Sequence, residues 1–258
     1  MAKNVNPRSK SAHSRCRLIN SKRCTELITA ADLLKNGGLV CVPTDSVYSI
    51  AASTDFPASI QKIFVVKNRP MDRSLCLCLS GVDELAAAKP PFSKLLWAFI
   101  RKSCPGPTGI VVPKGEWLLN IMSEKALDMI GNKKSICIRI PDHTVLSHLI
   151  SLAGPVAISS ANISGSDEST HHDMVQEALG EKVDAIVCDG FSLETAASSI
   201  VNCLDIDEDI ISYFRIGCTP QEEIYANFKA AKVHVSSVDT RTRERAKSSK
   251  RRDFDNRD

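Results

Sequence analysis

The strongest constraint in this sequence is an alternation of short apolar runs with longer stretches whose apolar residues recur at helical spacing. Leu27, Ala30, Ala31 and Leu34 share one helical face, and Asn36-Gly37-Gly38 stops the helix. Leu39 to Val42 then reads as a strand, Pro57 opens a helix carrying Ile60, Ile63 and Phe64, and Leu75 to Leu79 reads as a buried strand. Phe92, Leu95, Leu96, Phe99 and Ile100 mark another helix, ended by Pro105-Gly106-Pro107. Further strands are expected at Gly109 to Val112, Ile136 to Ile140, Val156 to Ser159, Ala185 to Cys188, Ser199 to Cys203 and Ile210 to Arg215, with helices in most gaps. Thr219-Pro220-Gln221-Glu222 has the spacing of a capping box, so a last helix should run from about Pro220 to Ala230. Such alternation favours an α/β fold in which a large, twisted, mostly buried sheet is flanked by helices.

Charge divides the chain. Met1 to Thr25 carries +7, Glu26 to Asp239 carries −8, and the remainder carries +4. An acidic body argues against a general nucleic-acid grip on the folded part, so any basic site there must be local. The expected organisation is a basic tail or transit segment at 1–23, one domain at 24–230 and a basic disordered tail at 231–258, where Arg241 to Arg252 holds seven basic residues and one acid. No apolar run is long enough to cross a bilayer, which excludes a membrane-spanning role. Ten scattered cysteines without a C-x-x-C pair argue against zinc and for reduced thiols. That fits a cytoplasmic protein, with a mitochondrion or plastid as the alternative if the basic N-terminal segment is a transit peptide.

Three clusters can carry chemistry. Pro43-Thr44-Asp45-Ser46-Val47-Tyr48 follows a predicted strand, where α/β sheets place ligand loops, although such residues also form ordinary turns. Lys67-Asn68-Arg69-Pro70 with Arg73 offers a point charge and a planar fork to one anion if the chain is extended, and equally suits a solvated helix end. Ser159-Ser160-Ala161-Asn162-Ile163-Ser164-Gly165 offers hydroxyl, amide and backbone groups to a phosphate or ribose, or simply an N-cap and turn. Arg139 and Arg215 sit in otherwise apolar strands, where a lone charge is costly unless it reaches solvent or meets an anion. With Ser198 and Ser199 they could line one basic pocket. His171-His172 and Asp142-His143 read as turn histidines, and no metal site is expected.

Taken in order, these segments resemble the YrdC-like family of threonylcarbamoyl-AMP synthases, with its K-x-R, P-G-P, R-x-P and S-x-N motifs after a proline-threonine loop. Lys67 and Arg69 match the first pair, and Ser160 and Asn162 the last. The resemblance covers roughly Cys24 to Ile224 and rests on the ordered set. It implies a single YrdC-like domain with a mixed sheet, and an L-threonylcarbamoyladenylate synthase that condenses L-threonine, bicarbonate and ATP. It further implies that Lys67, Arg69, Ser160, Asn162 and Arg215 hold the ATP phosphates and adenosine, with Lys67 and Arg69 catalytic. Ser46, Arg73, Arg139 and Ser198 would face threonine, Arg139 through a bidentate fork to its carboxylate, and Tyr48 would wall the side-chain pocket. Magnesium would come with the phosphates, and the product would pass to tRNA or a tRNA-modifying transferase.

Three positions depart from the family pattern. Ser49 stands for glycine, Ser74 for proline, and Gly109 for a threonine that contacts phosphate, with Thr108 adjacent. These departures keep open a catalytically weak relative that binds nucleotide or RNA, and a carbamoyl or phosphoryl transferase on the same fold.

Overall fold

A computed structural model describes residues 16–255. Among them, ten strands build one open mixed sheet: β1 (Arg17–Asn20), β2 (Val40–Val42), β3 (Ser49–Ser53), β4 (Cys76–Cys78), β5 (Thr108–Pro113), β6 (Ser135–Arg139), β7 (Val156–Ser160), β8 (Ala185–Cys188), β9 (Ser199–Asn202) and β10 (Ser212–Arg215). Their order across the sheet is β1-β8-β2-β3-β7-β4-β6-β5-β9-β10. The helices are α1 (Cys24–Lys35), α2 (Pro57–Val66), α3 (Val82–Ala87), α4 (Lys94–Ser103), α5 (Glu124–Leu127), α6 (Thr144–Ala153), α7 (His172–Leu179) and α8 (Gln221–Asp255). No helix among the described residues is long and apolar enough to cross a membrane.

Strand alternation splits the core in two. Val40 and Val42 face one way, with Ala51, Val156, Ile158, Ala185 and Val187, and meet Leu27, Ala30, Ala31 and Leu34 of α1 and Leu146, Leu149 and Ile150 of α6. Cys41 faces the other way, with Ile50, Leu77, Ile136, Ile138 and Ile186, and meets Ile60, Ile63 and Phe64 of α2, Phe99 and Ile100 of α4, and Leu179 of α7. Each fully buried Leu, Ile or Phe in these layers is worth about 1.5–3 kcal/mol. Local signals agree with the packing. Pro57 occupies the first turn of α2, and the Ser93 hydroxyl accepts from the Leu96 N–H at 3.1 Å to cap α4.

The two layers are unequal. On the first face α1 and α6 cover the half of the sheet around β8, β2, β3 and β7. The layer reaches β4 at Cys78, and no residue of β6, β5 or β9 belongs to it, so the site sits at its edge.

Several sequence expectations are corrected. β1 lies inside the segment assigned to the basic tail and pairs parallel with β8 from Arg17 to Asn20, so the folded unit starts before Cys24. Residues 1–15 of that segment lie outside the described residues. The last helix runs through to Asp255 rather than ending near Ala230. Its Phe228 meets Phe99 edge-on, with ring centroids 6.3 Å apart, which fixes the helix to α4. Thr219 does not cap it, because its hydroxyl donates to the Pro107 carbonyl at 3.2 Å and accepts from the Thr108 hydroxyl at 3.1 Å.

Candidate active site

Where that layer ends, the sheet becomes the floor of a small cleft of about 80 Å³. Register puts Ser49 opposite Ser160, Cys76 opposite Ile158, and Cys137 opposite Cys76, so these side chains share one face. Arg139 lies two residues beyond Cys137 on that same face. The walls come from the loop before β3 with Ser46 and Val47, the segment before β4 with Arg69 and Ser74, and the β9–β10 edge with Ala197, Ser198 and Arg215. Three arginines and six serines line the cleft, and no carboxylate does. A local basic site thus sits on an acidic body and attracts anions.

Each arginine is held in place. Arg139 is 4% exposed, and its guanidinium donates from one nitrogen to the Asp45 carboxylate and, at 3.0 Å, to the Ser46 hydroxyl. Burial opposes its charge, but Asp45 more than offsets that and keeps its pKa above the ordinary value. Its Nε is buried without a partner, a donor still free for a ligand. Arg69 donates to the Arg73 carbonyl at 3.1 Å and the Ser74 carbonyl at 2.8 Å. Burial lowers its pKa, and Arg73 and Arg215 add repulsion. Arg215 donates to the Ser198 carbonyl at 2.9 Å and to its hydroxyl at 3.4 Å.

The structure therefore brings Ser46, Arg69, Arg139, Ser160, Ser198 and Arg215 together on the cleft. It does not bring Lys67, Asn162, Tyr48 or Arg73 to its wall. The chain is not extended from Lys67 to Arg69: Lys67 ends α2, and Asn68 turns through φ +50°. The Lys67 ammonium is driven behind the wall, where it donates to the carbonyls of Ser160 and Asn162 and, at 3.2 Å, to the Asn162 side chain. All three of its protons are taken, and its own carbonyl accepts from the Ser164 N–H at 2.8 Å. In this arrangement Lys67 and Asn162 lock the loop that presents Ser160. Burial, then the neighbouring Arg69, lowers the Lys67 pKa to about 8. Tyr48 is 1% exposed; its hydroxyl donates to the Gly190 carbonyl at 2.9 Å and accepts from the Asp189 N–H at 3.1 Å, which pins that turn. The Arg73 side chain is exposed.

All three departures fall on or beside the cleft. Ser49 and Ser74 line it. Gly109 lies on the floor, where an added Cβ would come within 2.8 Å of the Cys137 sulfur. Thr108 does not restore the missing hydroxyl, because alternation turns it to the opposite face, where it bonds Thr219. Asp45 is the site residue that sequence reasoning left in a turn. Its pairing with Arg139 joins positions far apart in the chain, and only the PTDS loop itself signalled it. Elsewhere His171, His172 and Asp173 place potential metal-ligand atoms within 4.8 Å of one another. His171 Nδ1 caps α7 by accepting from the Asp173 N–H at 3.3 Å, and His172 Nδ1 accepts from the Gly190 N–H at 3.3 Å.

A family model described as telomere recombination, covering Sua5, YciO and YrdC, matches residues 32–217. The chain belongs to the Sua5/YciO/YrdC family. A threonylcarbamoyl-AMP synthase of Pyrococcus abyssi is 29% identical over 216 residues, covering 82% of this chain and 61% of that protein. A threonylcarbamoyl-AMP synthase of Bacillus subtilis is 27% identical over 202 residues, covering 78% and 56%. The chain thus spans about three fifths of the length of these two relatives. Among solved structures, P. abyssi Sua5 complexed with L-threonine superposes with a TM-score of 0.72 at 25% identity, covering 82% of this chain and 60% of that one. The mixed sheet flanked by helices is the family fold, as the sequence implied.

Proposed function

We propose that this chain is an L-threonylcarbamoyladenylate synthase, converting L-threonine, bicarbonate and ATP to threonylcarbamoyl-AMP and pyrophosphate. The observation that carries the reading is the convergence of Arg69, Arg139 and Arg215 on a serine-lined cleft without a carboxylate, with the Arg139 Nε buried and unpartnered. Family membership supports it, as does the relative solved with L-threonine.

The threonine amine adds to carbon dioxide from bicarbonate and loses a proton to give a carbamate. A carbamate oxygen then attacks the α-phosphorus of ATP, and the bond to pyrophosphate breaks. Such chemistry asks for neutralisation of phosphoryl oxygens and for positioning, not for a protein nucleophile. Arg69 and Arg215, on opposite walls, supply the charge to the phosphates. Arg139, oriented by Asp45, offers its free Nε edge to the threonine carboxylate beside Ser46. Ser160 and Ser198 supply hydroxyls to the nucleotide and to threonine, and Lys67 and Asn162 act by holding the Ser160 loop. Magnesium enters on the ATP phosphates as part of the substrate. The mixed anhydride formed is an activated acyl donor, which suits transfer to an adenosine of tRNA by a partner transferase.

The test is chromatography of nucleotides after incubation with ATP, magnesium, labelled threonine and bicarbonate. A labelled adenylate formed with pyrophosphate is expected, and its loss in Arg215→Ala locates the reaction in this cleft. Threonine or ATP binding by calorimetry without any adenylate would instead favour the binding-module reading.

A further inference from the structure

Cys76 and Cys137 stand directly opposite each other on the adjacent parallel strands β4 and β6, and their sulfurs are 3.1 Å apart. Neighbouring strands lie about 4.8 Å apart, inside the span of roughly 4.4–6.8 Å that disulfide-bonded Cα atoms occupy. The sulfurs need to close by only about 1 Å to reach bonding distance. The two thiols are not equivalent. Cys76 is partly exposed and lines the cleft, whereas Cys137 is buried beneath it, in space that Gly109 leaves by lacking a Cβ.

We propose that Cys76 and Cys137 are a built-in oxidation site, in which a hydroperoxide entering the cleft converts Cys76 to a sulfenic acid and Cys137 resolves it to a disulfide. The Cys76 thiolate attacks the peroxide oxygen, and hydroxide leaves. The Cys137 sulfur then attacks the Cys76 sulfur, and water leaves with the Cys137 proton. Two thiols and one hydrogen peroxide thus give one disulfide and two waters. Attack starts at Cys76 because it, and not Cys137, lines the cleft. It is also the one favoured as thiolate: a hydrogen bond from Cys137 lowers its pKa to about 7 against the opposing effect of burial, and Arg139, Arg215 and Arg69 add to the lowering. Cys137 is pushed the other way by that shared hydrogen bond and by burial, which suits a resolving thiol that stays protonated until the sulfenic acid forms.

The cross-link would join the strand that follows Ser74 to the strand that ends in Arg139, across the cleft floor. On the functional reading proposed above, triphosphate held by Arg69 and Arg215 covers Cys76, so ATP with magnesium slows the oxidation.

The experiment treats the reduced protein with hydrogen peroxide, then measures intact mass and maps peptides without reduction. A loss of about 2 Da that dithiothreitol reverses, with the peptides of Cys76 and Cys137 linked, is expected. Cys137→Ser should stop at a Cys76 sulfenic acid, a gain of about 16 Da that dimedone captures. A disulfide between any other pair, or a Cys76 that stays reduced while other thiols oxidise, would overturn the proposal. The wild-type map needs no variant to fold. If the disulfide forms equally fast under saturating ATP, the placement of nucleotide over Cys76 fails, while the oxidation site stands on its own map.

Discussion

Asp45 and Arg139, both about 5% exposed at their side chains, form a buried ion pair beneath the cleft, and the second Asp45 oxygen accepts from the Asp142 N–H at 2.8 Å. The carboxylate therefore fixes the guanidinium and the start of the following loop together. Removing one partner of such a pair strands the other without solvent, which costs about 3–5 kcal/mol. Asp45→Ala and Arg139→Ala should each lower the unfolding free energy by about that much, read as a lower urea midpoint at unchanged slope, and the double variant should cost less than their sum. Additive losses would mean that the pair is not coupled.

Lys67 gives the stability curve a definite slope. Its pKa falls from 10.5 in the unfolded chain to about 8 in the folded one. Between those values the unfolded state holds a proton that the folded state has released, so stability from this group rises with pH across the window and is lost as pH falls through about 8. The melting temperature of the wild type relative to Lys67→Met should therefore rise from pH 7.5 to pH 10, a window on the order of the Lys67 shift. A flat or falling difference would show that Lys67 is not desolvated behind the Ser160 loop.

Gly217 lies where a Cβ would be 1.9 Å from the Ala197 carbonyl oxygen, an overlap that backbone must move to relieve. Gly217→Ala should displace Arg215 from Ser198 and weaken ATP binding about tenfold or more, a loss on the order of one charge-assisted hydrogen bond. Calorimetry with ATP and magnesium reads this directly. Threonine binding should change less, because of its proposed contacts only Ser198 lies at this edge, while Arg139 lies on the floor and Ser46 on the loop before β3.

At Gly109 the neighbouring sulfur, rather than the backbone, sets the cost. Gly109→Ala in the wild type meets Cys137 Sγ at 2.8 Å, whereas Cys137→Ala first removes that atom. A double-mutant cycle should return a coupling of about 0.5–3 kcal/mol favouring the pair of changes made together. Zero coupling would mean that the floor relaxes freely around an added methyl.

How much of this was legible in the sequence depends on what each residue's neighbours are. β8, Ala-Ile-Val-Cys, announces itself by an unbroken apolar run, and β6 by Ile136 and Ile138 on either side of Cys137. β3, Ser-Ile-Ala-Ala-Ser, is fully buried yet carries mostly small residues, so neither alternation nor an apolar run marks it. β1 buries only Ile19 of its four residues and looks like tail. For the site, the ordered motifs located the cleft, but they did not separate residues on the wall from those behind it. Asn68, a residue type that tolerates the left-handed region, was the local hint that Lys67 and Arg69 part company. The Asp45–Arg139 and Cys76–Cys137 contacts join distant segments through strand register, which periodicity does not encode.

The sheet face beneath the cleft has one more consequence. A ligand in this cleft rests on backbone whose amides are already paired on both sides, strand to strand. Hydrogen exchange beneath it should be among the slowest in the molecule, with the loops bearing Ser46, Arg69 and Ser160 exchanging first. The cleft is thus a hard bed with a soft rim. A change on the bed such as Gly109→Ala must therefore be taken up by a neighbouring side chain, here Cys137, rather than by the backbone frame that carries Arg139.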